Sequence, residues 1–369
     1  MDTQVVIIGA GYAGVSAAKR LARSTARVTV INPRADFVER IRLHQMVAGN
    51  RTATLPLSLL LPGSTTLVRD SAESIDTDRN TVTLAGGREI GFDYLIHTAG
   101  SSSRLDAVPG AAEHAVTVGG LEDAVSARER LNRLPRGSTV TVVGGGLTGV
   151  EVASELAEAG GHRVRLVTDG LVAAGTSTKG RAYVRWYLAK LGVEVIEETA
   201  VTDGAGGRGC AGDGRVLDSD LSVMTAMFTV PPLARDSGLD TDEDGALRVK
   251  PSLVSTSSTA VVGAGDASRI VDNPLRMSCQ AAVPLGAHAA ETVLRLADGA
   301  EPEPVRPRFV GQCISLGRRS ALWQVSNKAD VPKNTTITGR VGAFVKEQIS
   351  SSTVRIALNP RLARFNYSW

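Results

Sequence analysis

The feature that most constrains this 369-residue chain is a pattern that occurs twice. Residues 4–8, Gln-Val-Val-Ile-Ile, form a short apolar run of the kind a parallel strand buried on both faces requires. Gly9-Ala10-Gly11-Tyr12-Ala13-Gly14 follows, then a helical stretch from Val15 to Ala22, then a second strand, Arg27–Ile31. The same order returns 135 residues later. Thr139–Val143 is a strand, Gly144-Gly145-Gly146-Leu147-Thr148-Gly149 a turn, Val150–Ala157 a helix and Arg163–Val167 a strand. Strand, Gly-rich turn, helix and strand make a dinucleotide-binding unit. Gly9 permits the tight turn, Gly11 lets the backbone approach a pyrophosphate, and Gly14 lets the helix pack closely on the sheet. Tyr12 and Ala13 complete this cradle. Gly144, Gly146 and Gly149, with Leu147 and Thr148, repeat it. Each helix N-terminus then offers free N–H groups and partial positive charge to phosphates.

A ribose-binding acid is expected at the end of the second strand of each unit. Asp169 fills that slot in the second copy. Its carboxylate accepts from a 2′-hydroxyl and repels a 2′-phosphate, so NADH is preferred over NADPH, with Arg163 and Arg165 as nearby cations of unknown facing. In the first copy the slot holds Asn32, followed by Pro33 and Arg34. Asn can still bond a ribose hydroxyl.

Composition narrows the alternatives. A hydrophobic fraction of 43% with 21% charged residues belongs to a folded globular chain. There is no run of 18 apolar residues to span a bilayer. Met1-Asp2-Thr3-Gln4 lacks the charged n-region of a secretory signal, so a cytoplasmic protein is expected. Three cysteines, Cys210, Cys279 and Cys313, are too few and too dispersed for a disulfide framework or a zinc site, and no metal is expected. Aromatics at 4% and a net charge of +3 give no case for nucleic acid. That charge is uneven. Residues 301–369 carry eleven Lys/Arg against four Asp/Glu, a net of +7, which leaves −4 for the first 300. A basic face of this kind is usually solvated, and otherwise meets an anionic partner or membrane surface.

Beyond the two glycine turns, Tyr94-Leu95-Ile96-His97-Thr98-Ala99-Gly100 and the Gly-Asp segment Val261-Val262-Gly263-Ala264-Gly265-Asp266 complete a specific combination. Over residues 1 to about 300 the chain resembles the two-dinucleotide flavoprotein reductases. Glu39-Arg40-Ile41-Arg42-Leu43-His44-Gln45, Ser278-Cys279-Gln280-Ala281-Ala282 and Gln312-Cys313-Ile314-Ser315-Leu316-Gly317-Arg318-Arg319 make it most similar to their apoptosis-inducing-factor and type II NADH dehydrogenase branch. The resemblance implies an α/β fold: two Rossmann-like dinucleotide-binding domains, as in glutathione reductase, plus a small α+β C-terminal domain. It places FAD in residues 1–109 and 251–304, NAD(P)H in 110–250, and an acceptor-site or dimer-interface module in 305–369. Pro109-Gly110 and Lys250-Pro251 are the crossing points, and Glu301–Pro307 is a stiff linker. In the tail, strands are expected at 310–316, 322–326 and 335–338, a helix at 340–349 and a last strand at 353–358.

The resemblance also distributes roles. Ala72, Ala99, Gly100, Asp266 and Ala281 join the flavin site, Asp266 at the ribityl chain. Arg42 meets the pyrophosphate or the isoalloxazine carbonyls, or is ordinary packing. His44 donates a proton to a reduced quinone, or is packing. Cys279 and Gln280 open a helix aimed at the flavin; without a partner, Cys279 reads as a packed thiol. Glu151 lies near the nicotinamide, or is a first-turn carboxylate that complements the helix dipole. Cys210 is placed at an exposed hairpin tip, and Trp186 and Tyr187 in the core. One departure concerns the strand Leu221–Phe228, where Met227 replaces the glycine that lets the nicotinamide pass, so a narrower second site is expected. Residues 36–60 hold no cysteine and the chain has no CxxC. A Cys-pair relay is therefore excluded, and the flavin delivers electrons directly to a quinone or similar acceptor. The rival readings are a flavin-dependent oxidase or oxygenase of a specialised substrate, and a flavin-holding interaction protein.

Overall fold

The computed structural model describes residues 3–103, 105, 109–203, 208–211, 216–226 and 228–354. Its frame is a pair of five-stranded sheets, each wholly parallel. The first runs, in space, Val261–Gly263, Tyr94–His97, Gln4–Ile8, Arg27–Ile31, Thr65–Val68. The second runs Ala115–Thr117, Leu221–Met224, Thr139–Val143, Arg163–Val167, Glu194–Ile196. In both, the glycine-bearing strand stands third and the next strand of its repeat lies at its side. The connections leave that strand in opposite directions, which opens a crevice at its C-terminal edge. Val and Ile fill these strands because both faces are covered; Val5, Ile7, Val140 and Val142 are all buried.

The helices that position the site are α1 (Tyr12–Leu21), α2 (Leu43–Val47), α3 (Leu147–Ala159), α4 (Thr178–Lys190), α5 (Cys279–Ala297) and α6 (Gly339–Ser352). Helices α1 and α5 touch backbone to backbone. A Cβ on Gly286 would lie 2.1 Å from Ala13 O, so only glycine lets them approach. The Ser16 hydroxyl, buried in that contact, donates to Val283 O at 2.6 Å. The tail is an antiparallel sheet of Gly311–Ser315, Ala321–Ser326 and Pro332–Ile337, with α6 packed on it. Among the described residues no helix is long and apolar enough to cross a membrane.

Several expectations need correction. The helix expected at 340–349 runs on to Ser352, and Thr353 and Val354 continue its path instead of opening a strand. Glu347 and Ser351 are bonded to Arg42, which holds these last turns helical. The remainder of the 353–358 segment lies outside the described residues. The strand expected over 221–228 ends at Met224, and Phe228–Thr229 pairs separately with Ser102–Ser103. Met227 lies outside the described residues. Cys210 is in the middle strand of a three-stranded ribbon, not at a tip. Tyr187 is buried, but Trp186 is 55% exposed and outside the core; Lys190 Nζ lies 5.3 Å from its ring, a cation–π contact at the surface.

Candidate cofactor and acceptor site

The two glycine turns are nearly superposable in their bonding. Gly9 N donates to Ile31 O and Gly144 N to Val167 O, both at 2.8 Å. Gly9 and Gly144 have φ of +96° and +119°, which admits only glycine cheaply. A Cβ on Gly14 would meet Gly9 O at 1.9 Å, and one on Gly149 would meet Gly144 O at 1.8 Å. Thr98 Oγ1 reaches Ile8 O and Gly9 O at 2.7 and 2.9 Å; Thr225 Oγ1 reaches Val143 O and Gly144 O at 2.9 and 3.3 Å. This threonine pair, one from each repeat, was not singled out from the sequence; the shared Thr-Ala dipeptide at 98–99 and 225–226 was the available signal. Gly145 was also missed. A Cβ there would meet the Thr168 side chain at 2.8 Å.

Gly11 and Gly146 behave differently. A Cβ on either would meet nothing within 4 Å. They cap α1 and α3 with no side-chain hydrogen bond and no acidic residue in the first turn. The leading N–H groups at Tyr12-Ala13 and Leu147-Thr148 are thus left without a side-chain acceptor, and the positive dipole ends face open space. Free N–H groups and a positive dipole end are what a phosphate needs at such a terminus.

At the strand ends the two copies diverge. Asn32 Oδ1 accepts from Ala10 N at 3.0 Å, and its Nδ2 donates to Arg34 O at 2.7 Å, so the amide braces its own loop around Pro33. Arg34 pairs with Glu122 at 2.9 Å. Asp169 is exposed. The nearby cations are committed elsewhere: Arg163 donates to Thr139 Oγ1 at 3.2 Å, and Arg165 pairs with Glu194 at 2.8 Å. Asp266 accepts from Ser101 Oγ at 2.8 Å, while Arg40 donates to Ser101 O at 2.7 Å, beside Ala99 and Gly100. Ala72 opens a separate antiparallel ribbon opposite Leu84. Ser278 caps α5 by accepting from Ala281 N at 3.2 Å. With its amide oriented to satisfy both atoms, Gln280 donates to Gly311 O and accepts from Val310 N, which ties α5 to the tail.

Behind these turns lies a buried set of charges that the sequence reading found only in part. Glu151 is the fifth residue of α3, not a first-turn carboxylate. Its Oε1 accepts from Lys346 Nζ at 2.8 Å and from Ser315 N at 2.9 Å. Burial alone would raise its carboxyl, but Lys346 and then His44 hold it below the usual range. Burial opposes the charge on Lys346, yet Glu151 keeps its ammonium above its ordinary value. His44 puts Nδ1 3.5 Å from Glu151 Oε2 and Nε2 3.9 Å from Glu155 Oε1. Burial pushes its imidazole down to about 4, against the pull of Glu151. Glu155, fully buried, bonds Asn50 Nδ2 at 2.6 Å and Arg318 Nε at 2.8 Å, and burial raises its carboxyl.

Arg42 is a correction. Its fully buried guanidinium is held by Glu39 at 3.1 Å and in a two-pronged pair with Glu347 at 2.9 and 3.0 Å. These carboxylates satisfy it and dock α6, so it is not free for a pyrophosphate or a flavin carbonyl. Burial pushes both the Cys279 and Cys313 thiols up, Cys313 to about 12, so neither is a thiolate at neutral pH. Lys346, Glu347, Glu155, Arg318 and Asn50 were not anticipated. They are ordinary charged or polar residues in sequence, and only the tail's packing brings them to α2 and α3.

His97, in the first sheet, is 1% exposed, and neither ring nitrogen finds a partner among the described residues. Burial pushes it down to about 4. The unfolded chain binds this proton below about pH 6.5 and the native one does not, so stability falls with pH between those values. The loss is about 1.4 kcal/mol per pH unit, about 3 kcal/mol in all. His44 acts in the same direction. His97→Leu is expected to flatten the acid limb of urea-unfolding midpoints measured from pH 7.5 to 4.5; an unchanged slope would refute the assignment.

Residues 3–288 match the family model described as pyridine nucleotide-disulphide oxidoreductase. An NADH dehydrogenase-like protein of Mycobacterium tuberculosis is 29% identical over 320 residues, 79% of this chain and 80% of its own. A demethylphylloquinone reductase of Synechocystis is 25% identical over 351 residues, 86% of each chain. Among solved structures, NDH2 from Plasmodium falciparum in complex with NADH superposes with a TM-score of 0.83 at 13% identity, covering 100% of this chain and 98% of that one. The last likeness speaks to the fold: two dinucleotide-binding sheets with a tail module. With the duplicated cradle and a family match over more than three quarters of its length, the chain belongs to the pyridine nucleotide-disulphide oxidoreductase family.

Proposed function

We propose that this chain is an FAD-dependent NADH oxidoreductase that delivers electrons to a quinone. The observation that carries the reading is the pair of uncapped helix N-termini, each facing open space beside Gly11 and Gly146. FAD, when bound, supplies the two-electron chemistry, and the protein supplies position and electrostatics. We assign residues 1–109 with 251–304 to the flavin, 110–250 to the nicotinamide, and 305–369 to the acceptor site or an interface. Gly9, Gly11 and Gly14 shape the first cradle, Asp266 with Ser101 fixes a hydroxyl chain, and Cys279, Gln280 and Ala281 turn the positive end of α5 toward it. Lys346, anchored on Glu151, keeps a buried positive charge near Cys279 at that end. The absence of CxxC removes a dithiol route, and relatives named for quinone reduction support the acceptor class.

Asp169 favours NADH, since Arg163 stands at the opposite, N-terminal end of the strand that leads to Asp169, and Arg165 is paired with Glu194. Mixed anaerobically with NADH, the flavin-loaded protein is expected to bleach at a rate that rises with NADH concentration and saturates. NADPH bleaches it more slowly, and Asp169→Ser narrows that difference by about tenfold, the equivalent of 1.4 kcal/mol. A bleaching rate indifferent to NADH concentration would sink the reading.

A further inference from the structure

We propose that Glu197 is a positioning residue for the nicotinamide dinucleotide: its carboxylate braces the loop that presents Asp169, and that brace sets the affinity for the adenosine half of NADH. This rests on the reading above, in which the second cradle takes NADH and Asp169 meets its ribose.

The two copies of the unit solve one local problem differently. In each, the loop after the second strand has to stay against the glycine turn, so that the ribose slot keeps its distance from the phosphates. In the first copy the slot residue does this itself. Asn32 Oδ1 accepts from Ala10 N, on the second residue of the turn, and Nδ2 donates to Arg34 O. Both ends of its amide are engaged with protein. In the second copy the backbone makes the tie. Ala173 N donates to Gly145 O at 2.7 Å, and Gly145 is the turn residue that matches Ala10. Asp169 is thereby released. Among the described residues its one hydrogen-bond neighbour is Thr168 Oγ1, at a limiting 3.5 Å.

The substitute tie strains the loop. Ala173 has φ of +51°, in the left-handed region that a residue with a Cβ avoids. Glu198, on the far side of the loop, has φ of +53° and donates its N–H to Gly170 O at 3.1 Å. Such residues persist only where the surroundings over-determine them. Glu197 supplies the constraint. Its Oε1 accepts from Val172 N at 2.8 Å, and its Oε2 pairs with Arg185 of α4 at 2.7 Å. The side chain is only 13% exposed, so the bond to Val172 is charge-assisted and little contested by water. Val172 lies between Asp169 and the strained Ala173, so this bond pins the loop at its middle. Backbone bonds pin its start: Thr168 N donates to Ile196 O at 2.9 Å, and Thr199 N to Thr168 O at 2.8 Å. One carboxylate holds the loop, and a different one is left to hold the ligand.

The test is anaerobic bleaching of flavin-loaded wild type, Glu197→Ala and Glu197→Gln by two donors. NADH carries an adenosine; reduced nicotinamide mononucleotide carries the same hydride without one. Glu197→Ala is expected to raise the half-saturating NADH concentration about tenfold, on the scale of one charge-assisted hydrogen bond. Its limiting rate, and its response to the mononucleotide, should stay within about twofold of wild type. Glu197→Gln keeps an oxygen for Val172 N and should stay within about threefold with NADH. Equal weakening toward both donors, an unchanged NADH response in Glu197→Ala, or a Glu197→Gln as impaired as Glu197→Ala overturns the brace. A wild type that answers the mononucleotide as strongly as NADH would instead count against the reading that Asp169 meets an adenosine ribose. Hydrogen exchange of the wild type alone decides even where a variant does not fold. The Val172 and Ala173 amides are expected to exchange slowly before any nucleotide is added, because the brace is already made. Fast exchange that slows only with NADH overturns it.

Discussion

Lys346→Met is expected to destabilise the protein by about 3–5 kcal/mol at pH 7.5, the usual cost of leaving one member of a buried ion pair alone. Lys346 and Glu151 are almost fully withdrawn from water, and the ammonium is the nearest cation to the carboxylate. Without it, Glu151 keeps only Ser315 N and a neutral His44. Its carboxyl would then rise, since burial, the largest influence on it, already pushes that way. The sign with pH follows. The penalty is full where Glu151 remains ionised and shrinks as acid neutralises it, so the variant's deficit is smaller at pH 5 than at pH 7.5. Lys346→Met combined with Glu151→Gln is expected to recover most of the loss, because no unpaired charge stays buried. Arg79→Met serves as the contrast. Arg79 and Glu89 form a well-aligned pair at 2.9 Å, but in solvent, where such pairs contribute little. Urea-unfolding midpoints of the three variants against wild type decide it. A Lys346→Met deficit no larger than that of Arg79→Met would show that Glu151 is already solvated.

What could be read in the sequence, and what could not, divides along one line. Local patterns carried the strands, the glycine turns and the order of the repeats, because buried parallel strands and phosphate cradles are specified within about thirty residues. Asp169 was singled out by the same spacing, whereas Asp266 came from the resemblance alone. The buried charge set was only half legible. Glu151 and His44 stand in motifs, but Lys346 and Glu347 lie about 300 residues from α2 on an unremarkable helix, and periodicity does not report a partner at that distance. Arg42 was drawn toward a phosphate because a basic residue after a strand-end loop suits one. The structure gives its guanidinium two carboxylates instead, one of them from the tail. Trp186 was assigned to the core on helical spacing, but the spacing cannot tell an apolar partner from a lysine four residues on.

Four glycine substitutions are expected to separate what the cradles do for the fold from what they do for a ligand. Gly14→Ala and Gly149→Ala place a methyl 1.9 and 1.8 Å from a backbone carbonyl oxygen, with Thr98 and Thr225 Oγ1 at 2.9 and 2.7 Å behind it. Backbone at the end of a central strand cannot retreat by more than an ångström, so both variants lose at least about 3 kcal/mol by overpacking. Gly11→Ala and Gly146→Ala meet no protein atom within 4 Å. At these extended cap positions the apo-protein should stay within about 0.5 kcal/mol of wild type. Any harm they do must come from the ligand, whose pyrophosphate would need the space the methyl takes. Gly11→Ala is therefore expected to lower flavin affinity by about 100-fold, equivalent to 2.7 kcal/mol, with the apo melting temperature unchanged. Gly146→Ala should keep its flavin and lose NADH-driven bleaching to a similar degree. The two phenotypes assign the two cradles independently: if Gly146→Ala sheds flavin, or Gly11→Ala keeps it and loses only NADH response, the order of the cofactors along the chain is the reverse of the one proposed.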